Sequence, residues 1–235
     1  MAAAFAAAGV AGPRGVLDGR WGLLKLMSGG PAAILTAELG ERWEFAGTKV
    51  KPFASCRFTH GPVAALRAAK LDPQRIASVE IVTFRASFEV SDRPRPRDRK
   101  EAILSHQLAA ALALLDRAIV PDALEAPDAL VRALAERVRV RHDPALDGVY
   151  PARWPHRIIV SMRNGERVVL ESDQPPAADR AQIRTKFRAL AAPVFGAANA
   201  DAVIAVIDDL ERLPDVQPLL RLLRHGLAEA ARCAG

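Results

Sequence analysis

The chain has 235 residues with 33 Lys and Arg against 27 Asp and Glu, a formal net charge of +6, and half of its residues are apolar. That apolar fraction supports a sizeable core and excludes a wholly disordered chain. Two cysteines, Cys56 and Cys233, exclude a disulfide scaffold and a four-cysteine zinc site, and they favour a reducing, cytoplasmic setting.

Residues 1–42 predict short helical pieces separated by turns. The Ala-rich residues 1–8 indicate the end of a helix, and because they lack a basic leader we do not expect a signal peptide. Two glycines and a proline within residues 9–13 indicate a turn. A short helix is expected over residues 31–39, with Gly40 as its stop. These pieces have apolar faces with no obvious partner nearby, which is typical of the edge of a larger helical body.

The middle of the chain mixes extended and helical patterns. Residues 48–53 are expected to be extended. Thr59 is a suitable N-cap for a helix that runs to Lys70. Alternating apolar residues predict a strand over residues 76–86, and residues 101–116 predict one strong helix.

The positive charge is densest in residues 91–100, SDRPRPRDRK, which hold five cations and two aspartates. A nucleic-acid-binding arm is one interpretation of such a run. A solvated loop stiffened by Pro94 and Pro96 is the other, and we favour it because no aromatic residues are interleaved for base stacking. No nucleic-acid partner is therefore expected.

No membrane span is expected either. The most apolar long stretch, residues 102–120, contains Asp116 and Arg117, which are costly at the centre of a bilayer and ordinary in a protein helix.

The second half predicts a small β element followed by helices. A helix over residues 128–136 leads into a half-exposed strand at 137–141. Asn164-Gly165 between two β-branched runs predicts a tight hairpin over residues 157–171. Three helices are expected after it, over residues 179–191, 200–212 and 215–223. The element order predicts an α+β fold, a small α/β domain whose flanking helices return to one helical body.

The segment KPFASCRFTH, residues 51–60, resembles the KPYPxCRxTH segment of the MmgE/PrpD family, the 2-methylcitrate dehydratase-like proteins. No single motif decides the likeness, but the order and spacing of the similar stretches along the chain make their combination specific. Further similar stretches follow in family order at residues 12–22, 76–83, 105–116, 143–155 and 186–188.

The resemblance implies a domain arrangement. Members of this family combine an all-helical domain with a smaller α/β domain, and their active site lies in the cleft between the two. Residues 1–42 would then be the tail of the helical domain, 43–174 the α/β domain, and 175–235 helices that pack back on the helical domain. This chain would supply only the C-terminal half.

The dehydration of a hydroxylated tricarboxylic acid needs a base, an acid, and groups that hold the carboxylates. Lys51 aligns with the family's active-site lysine and is the predicted catalytic residue. Arg57 can hold a carboxylate through two parallel hydrogen bonds. His60 and Gly61 begin a helix whose free N–H groups favour an anion and whose dipole would keep His60 neutral. The alternative is that these are solvated cations and a capping histidine.

The sequence departs from the family pattern at Leu108, where a tyrosine that could donate or relay a proton is common. His106 is a further candidate site residue beside it, although a hydrogen bond to a local partner is the plainer interpretation. Tyr150 is expected to be structural, and Cys56 to be a small buried thiol.

No histidine has metal-ligand spacing, and no glycine-rich phosphate loop is present. We therefore expect no metal, nucleotide or flavin, which agrees with what the resemblance implies. The predicted function is the C-terminal half of a lyase of propionate catabolism that acts on a polycarboxylate such as 2-methylcitrate. It would work as a homo-oligomer such as a dimer, or with a separate helical half that supplies the proton-moving histidines. The alternatives are a decarboxylase or epimerase of a similar acid, and a non-catalytic remnant or dimerisation module, which Leu108 favours.

Overall fold

The computed structural model describes residues 1–27, 33 and 36–224. It divides into two compact units, Met1–Thr48 and Lys49–Gly235. The first contains α1 (Ala2–Ala7), α2 (Leu23–Met27) and a 3-10 turn at Glu44–Gly47.

In the first unit, the backbone turns back on itself so that the amides of Leu23 and Leu24 each donate to a carbonyl seven residues earlier. Leu24 is buried, whereas Trp21 and Phe45 are 78% and 85% exposed. Of the helix expected over residues 31–39, residues 31, 32, 34 and 35 lie outside the described residues, and residues 36–40 form turns.

The second unit is built on a four-stranded mixed sheet. Its strands are β1 (Ile76–Thr83), β2 (Val138–His142), β3 (His156–Met162) and β4 (Arg167–Ser172), in the order β2-β1-β3-β4. β1 pairs with β2 in parallel and with β3 antiparallel, and β3 pairs antiparallel with β4. The predicted α+β class is confirmed.

The predicted hairpin is confirmed as β3 and β4. Gly165 has φ +88°, in the left-handed region that glycine adopts without strain. The Asn164 side chain accepts a hydrogen bond from the Glu166 amide, 3.1 Å away. The two turn residues therefore reverse the chain in the way that the sequence predicted.

Helices account for most of the rest of this unit. They are α3 (His60–Ala69), α4 (Arg85–Ser91), α5 (Arg99–Leu104), α6 (His106–Leu114), α7 (Pro121–Glu125), α8 (Ala129–Ala135), α9 (Arg180–Phe195) and α10 (Ala197–Asp208), and residues 217–224 are also helical. Within the described part of the chain, none of the helices is both long and apolar enough to cross a bilayer.

The sheet has one buried face and one charged face. Val79 and Ile81 of β1 lie opposite Val160 and Ile158 of β3, and all four join one core cluster. Helices α3, α6 and α8 also contribute to this cluster, and all nine residues of α6 are buried. On the other face, ion pairs such as Arg141–Glu80 at 3.6 Å are partly exposed. The alternation in β2 thus marks a half-exposed strand, as expected.

Two predicted boundaries are wrong. The strand expected over residues 76–86 ends at Thr83, and Arg85 already begins α4. The single helix expected over residues 101–116 is divided into α5 and α6, because Ser105 adopts an extended conformation and its hydroxyl accepts the Leu108 amide at 3.1 Å. Ser105 thereby ends one helix and caps the next.

Candidate functional site

Residues 51–61 bring a lysine and a histidine to one backbone carbonyl. The segment runs as a loop from Lys51 to Cys56, then as a 3-10 turn, and enters α3 at His60. Lys51 Nζ donates to the Ser55 carbonyl oxygen at 3.4 Å, and His60 Nε2 lies 3.3 Å from the same oxygen. The lysine side chain is therefore directed towards the segment that opens α3.

His60 is fully buried and neutral. A carbonyl oxygen only accepts, so the proton of the ring lies on Nε2, and the buried Nδ1 has no hydrogen-bond partner. Burial is the main cause that lowers the pKa of His60 to about 4, and the positive charges of Lys51, Arg57 and Lys186 act in the same direction. The predicted neutrality of His60 thus has burial as its chief cause.

Thr59 does not cap α3 as the sequence predicted. Its backbone is already helical, and its side chain makes no capping bond. The hydroxyl instead donates to the Cys56 carbonyl at 2.8 Å and lies 2.9 Å from Ser55 Oγ. These bonds tie the loop to the 3-10 turn, so Thr59 stabilises the entry of the helix from within the preceding turn.

Arg57 and Gly61 occupy different surroundings. The Arg57 guanidinium is half-buried, with its Cζ 5.4 Å from the centre of the Trp154 ring. Gly61 is buried against β4: a Cβ there would lie 2.3 Å from Ser172 Oγ. The two residues flank the helix entry, but only Arg57 presents a charge.

Lys186 is a member of this cluster that the residue-by-residue reasoning did not select. Its Nζ donates to the Lys51 carbonyl at 2.6 Å, although the two residues are 135 positions apart. Burial, followed by the charge of Lys51, lowers the pKa of Lys186 below its usual value. The available signal was the scarcity of lysine: only six occur in the chain, and two of them meet here.

The cations of this cluster lack acidic partners. Among the residues that the structure describes, Lys51, Arg57 and Lys186 make no ion pair with Asp or Glu, whereas many arginines elsewhere do. The arrangement therefore carries an unbalanced positive charge beside the first turn of a ten-residue helix. Such a place favours an anion.

Comparison with known proteins assigns the chain to a family. A model of the MmgE/PrpD C-terminal domain matches residues 53–212. The chain belongs to the MmgE/PrpD family. The matched region begins two residues after Lys51 and includes Arg57, His60, Gly61 and Lys186.

Two curated relatives are similar to this MmgE/PrpD chain. Cis-aconitate decarboxylase from Mus musculus is 27% identical over 179 residues, which cover 68% of this chain and 36% of the relative. Cis-aconitate decarboxylase from Aspergillus terreus is 24% identical over 212 residues, covering 80% and 43%. The chain thus spans less than half of the length of either relative.

Leu108, where the resemblance leads us to expect a tyrosine, is 4% exposed and lines a cavity of about 820 Å³ together with residues 94–98. An aliphatic side chain has no proton to give. Proton transfer from this position is therefore unavailable in this chain.

His106 is part of a buried hydrogen-bonded network. Its Nε2 lies 3.0 Å from Ser87 Oγ, and the same oxygen lies 3.4 Å from His156 Nε2. His106 therefore makes a structural hydrogen bond, as the plainer interpretation expected, but its partner Ser87 lies nineteen residues earlier in the chain and not beside it in the sequence. A hydroxyl has one proton, so it donates to one ring and accepts from the other, which requires different tautomers. Burial lowers the pKa of His106 well below its usual value and that of His156 to about 4.

The remaining sequence candidates have structural surroundings. Tyr150 stacks on Phe84 with ring centres 4.7 Å apart. Cys56 is half-buried and accepts from Ser91 Oγ at 3.5 Å. Across the described residues, no group of three or more His, Cys, Asp or Glu side chains is arranged to hold a metal ion.

Proposed function

We propose that this chain supplies the carboxylate-binding wall of a lyase that acts on a small tricarboxylic acid. The proton-moving groups would come from a helical half that is not part of the matched domain. The observation that carries this proposal is the meeting of Lys51 and His60 at the Ser55 carbonyl, with Lys186 held on the carbonyl of Lys51.

Lys51 is the residue that would touch the acid. Its bond to Ser55 is long, 3.4 Å, and an ammonium group has three donors, so an arriving carboxylate can take the other two or replace this one. The side chain is exposed and has no acidic partner among the described residues. An anionic ligand would therefore meet no competing carboxylate here.

His60 would act as a positioning residue. It is fully buried, and its proton is used to hold the Ser55 carbonyl, so it is badly placed to transfer a proton to a bound acid. Holding that carbonyl fixes the loop from which Lys51 extends. The proposed role of His60 is thus to keep the lysine near the first turn of α3.

Decarboxylation is one candidate reaction, supported by the names of the two relatives. In such a step the bond from carbon to one carboxylate breaks, CO₂ leaves, and the electron pair left on carbon is protonated. A cation at a neighbouring carboxylate stabilises the charge that develops.

Dehydration of a 2-methylcitrate-like acid is the second candidate, supported by the KPFASCRFTH segment. It places the same demand on Lys51, because the proton removed lies next to a carboxylate. The two reactions differ in the groups that move protons, which this chain would not supply.

The test is to co-express the chain with the helical half of an MmgE/PrpD protein and to assay the purified complex. Cis-aconitate and 2-methylcitrate are offered separately, and Lys51→Ala is compared with Lys100→Ala, which removes an exposed lysine of α5. We expect Lys51→Ala to lower kcat/KM at least 100-fold and Lys100→Ala to leave it unchanged. A folded complex without activity on either acid would support the non-catalytic alternative.

A further inference from the structure

A small cavity adjoins Pro52 and Phe53, the two residues that follow Lys51. It has a volume of about 290 Å³ and is bounded by Pro52 and Phe53, by residues 118–120, by Arg67 of α3 and by one face of α9. Ligand sites usually begin at about this size, which suits a small molecule.

The charge of this cavity is entirely positive. Two of its lining residues, Arg67 and Lys186, are cations, and none is an acid. Arg67 donates to the Arg117 carbonyl and lies with its Cζ 5.0 Å from the centre of the Phe53 ring. Its nearest carboxylate, on Asp116, is 3.9 Å away and 93% exposed, so it compensates the charge weakly.

Helix α9 presents further donors on the same face. Gln182, Thr185 and Lys186 are spaced three and four residues apart, which places them side by side on a helix. The side-chain oxygen Oε1 of Gln182 already accepts a hydrogen bond from the Asp179 backbone amide at 3.1 Å, so the side-chain NH₂ group remains to donate. Ala181 and Ala189 flank these residues, and their small side chains leave the space open.

We propose that this cavity binds one carboxylate of a small polycarboxylic acid, with Lys186 and Arg67 as its counter-charges and Phe53 and Ile119 against its hydrocarbon chain. The inference rests on the proposed function for the identity of the acid, and it assigns Lys186 and Arg67 to substrate binding. Burial is the main cause that lowers the pKa of Lys186, and the positive charge of Lys51 acts in the same direction.

The experiment is calorimetric titration of the full chain with cis-aconitate and, separately, with inorganic phosphate. Lys186→Gln removes a counter-charge, and Ala189→Leu fills the cavity without changing charge. Lys100→Gln is the matched control for net charge. We expect Lys186→Gln and Ala189→Leu each to weaken cis-aconitate binding about tenfold, with Lys100→Gln within twofold of the unaltered chain.

Several outcomes would overturn the proposal. These are no binding of cis-aconitate at millimolar concentration, unchanged binding in Ala189→Leu, and phosphate binding as tight as that of the carboxylate. Thermal unfolding of each variant shows whether it is folded. If Lys186→Gln does not fold, the binding of cis-aconitate by Ala189→Leu alone tests the proposal.

Lys51→Gln separates this inference from the proposed function. If Lys51→Gln abolishes binding while Lys186→Gln and Ala189→Leu retain it, the cavity is wrong and the role of Lys51 stands. If the cavity variants abolish binding and Lys51→Gln retains it, the cavity stands and the role of Lys51 is wrong.

Discussion

Gly61 of α3 lies so close to Ser172 of β4 that a Cβ on Gly61 would be 2.3 Å from the serine Oγ. The Ser172 Cβ and His156 Nδ1 would also be tight, at 3.3 and 3.4 Å. The first turn of α3 is therefore seated directly on the end of the β3–β4 hairpin. This contact sets the distance between the start of α3 and the hairpin, and with it the position of residues 51–60.

Gly61→Ala is expected to destabilise the fold by about 1–3 kcal/mol, because the methyl group overpacks this contact. Ser172→Ala removes the closest atom, so the double variant should be more stable than the sum of the single effects predicts. Urea unfolding of the two single variants and the double variant measures this coupling. Purely additive effects would show that the helix and hairpin are not in contact at this point.

Three buried histidines make the fold sensitive to mild acid. Burial lowers the pKa of His60 and of His156 to about 4 and that of His106 well below its usual value. The unfolded chain takes up protons on these histidines near pH 6.5, whereas the folded chain does not. The contribution of the neutral histidines to the free energy of unfolding is therefore fully present above that pH. It is lost as the pH falls from about 6.5 to about 4.

The shifts of His60 and His156 each correspond to about 3 kcal/mol at the acidic end of the window. Urea unfolding at intervals between pH 7.5 and 4.5 should show a steep decline in the free energy of unfolding. His156→Gln should make the decline shallower. A decline of the same slope in that variant would mean that His156 titrates normally in the folded state.

Ser105 is expected to contribute more to the free energy of unfolding than an exposed serine does. Its hydroxyl accepts the buried Leu108 amide and donates to the Arg93 carbonyl at 2.7 Å. Ser105→Ala leaves both groups without this partner and should cost about 1–3 kcal/mol. Ser78→Ala on the exposed side of β1 is the control, with an expected change below about 0.5 kcal/mol. Equal losses in the two variants would argue against the division between α5 and α6.

Lys51→Ala is expected to leave the stability nearly unchanged, within about 0.5 kcal/mol, because the side chain is exposed and its bond to Ser55 is long. Thermal and urea unfolding check this directly. A loss of more than about 2 kcal/mol would indicate a structural lysine, and any loss of activity in that variant would then say little about binding.

The sequence predicted the parts of this fold that depend on neighbouring residues. Asn164 and Gly165 marked the hairpin, and the alternation at residues 137–141 marked β2 as half-exposed. The break at Ser105 was missed because apolar residues continue on both sides of it, and only the side-chain bond to Leu108 reveals the cap.

The site was predicted less completely than the fold, because it depends on long-range packing. Lys51, Arg57, His60 and Gly61 lie within one segment, so the motif alone grouped them. Lys186 reaches that segment only after α9 has packed against it. The pairing of β1 with β3 sets Thr83 opposite His156, near Ser87 and His106, and neither spacing nor periodicity carries that information.

The six lysines allow the proposed role of Lys51 to be tested in one measurement. Reductive methylation with ¹³C keeps their charge and gives each a resolvable NMR signal, which is followed as cis-aconitate is added to the full chain. A saturable shift of the Lys51 signal, with those of Lys70 and Lys100 unmoved, is the expected result. A Lys51 signal that stays in place, or six signals that move together, would contradict the binding of a carboxylate at the entry of α3.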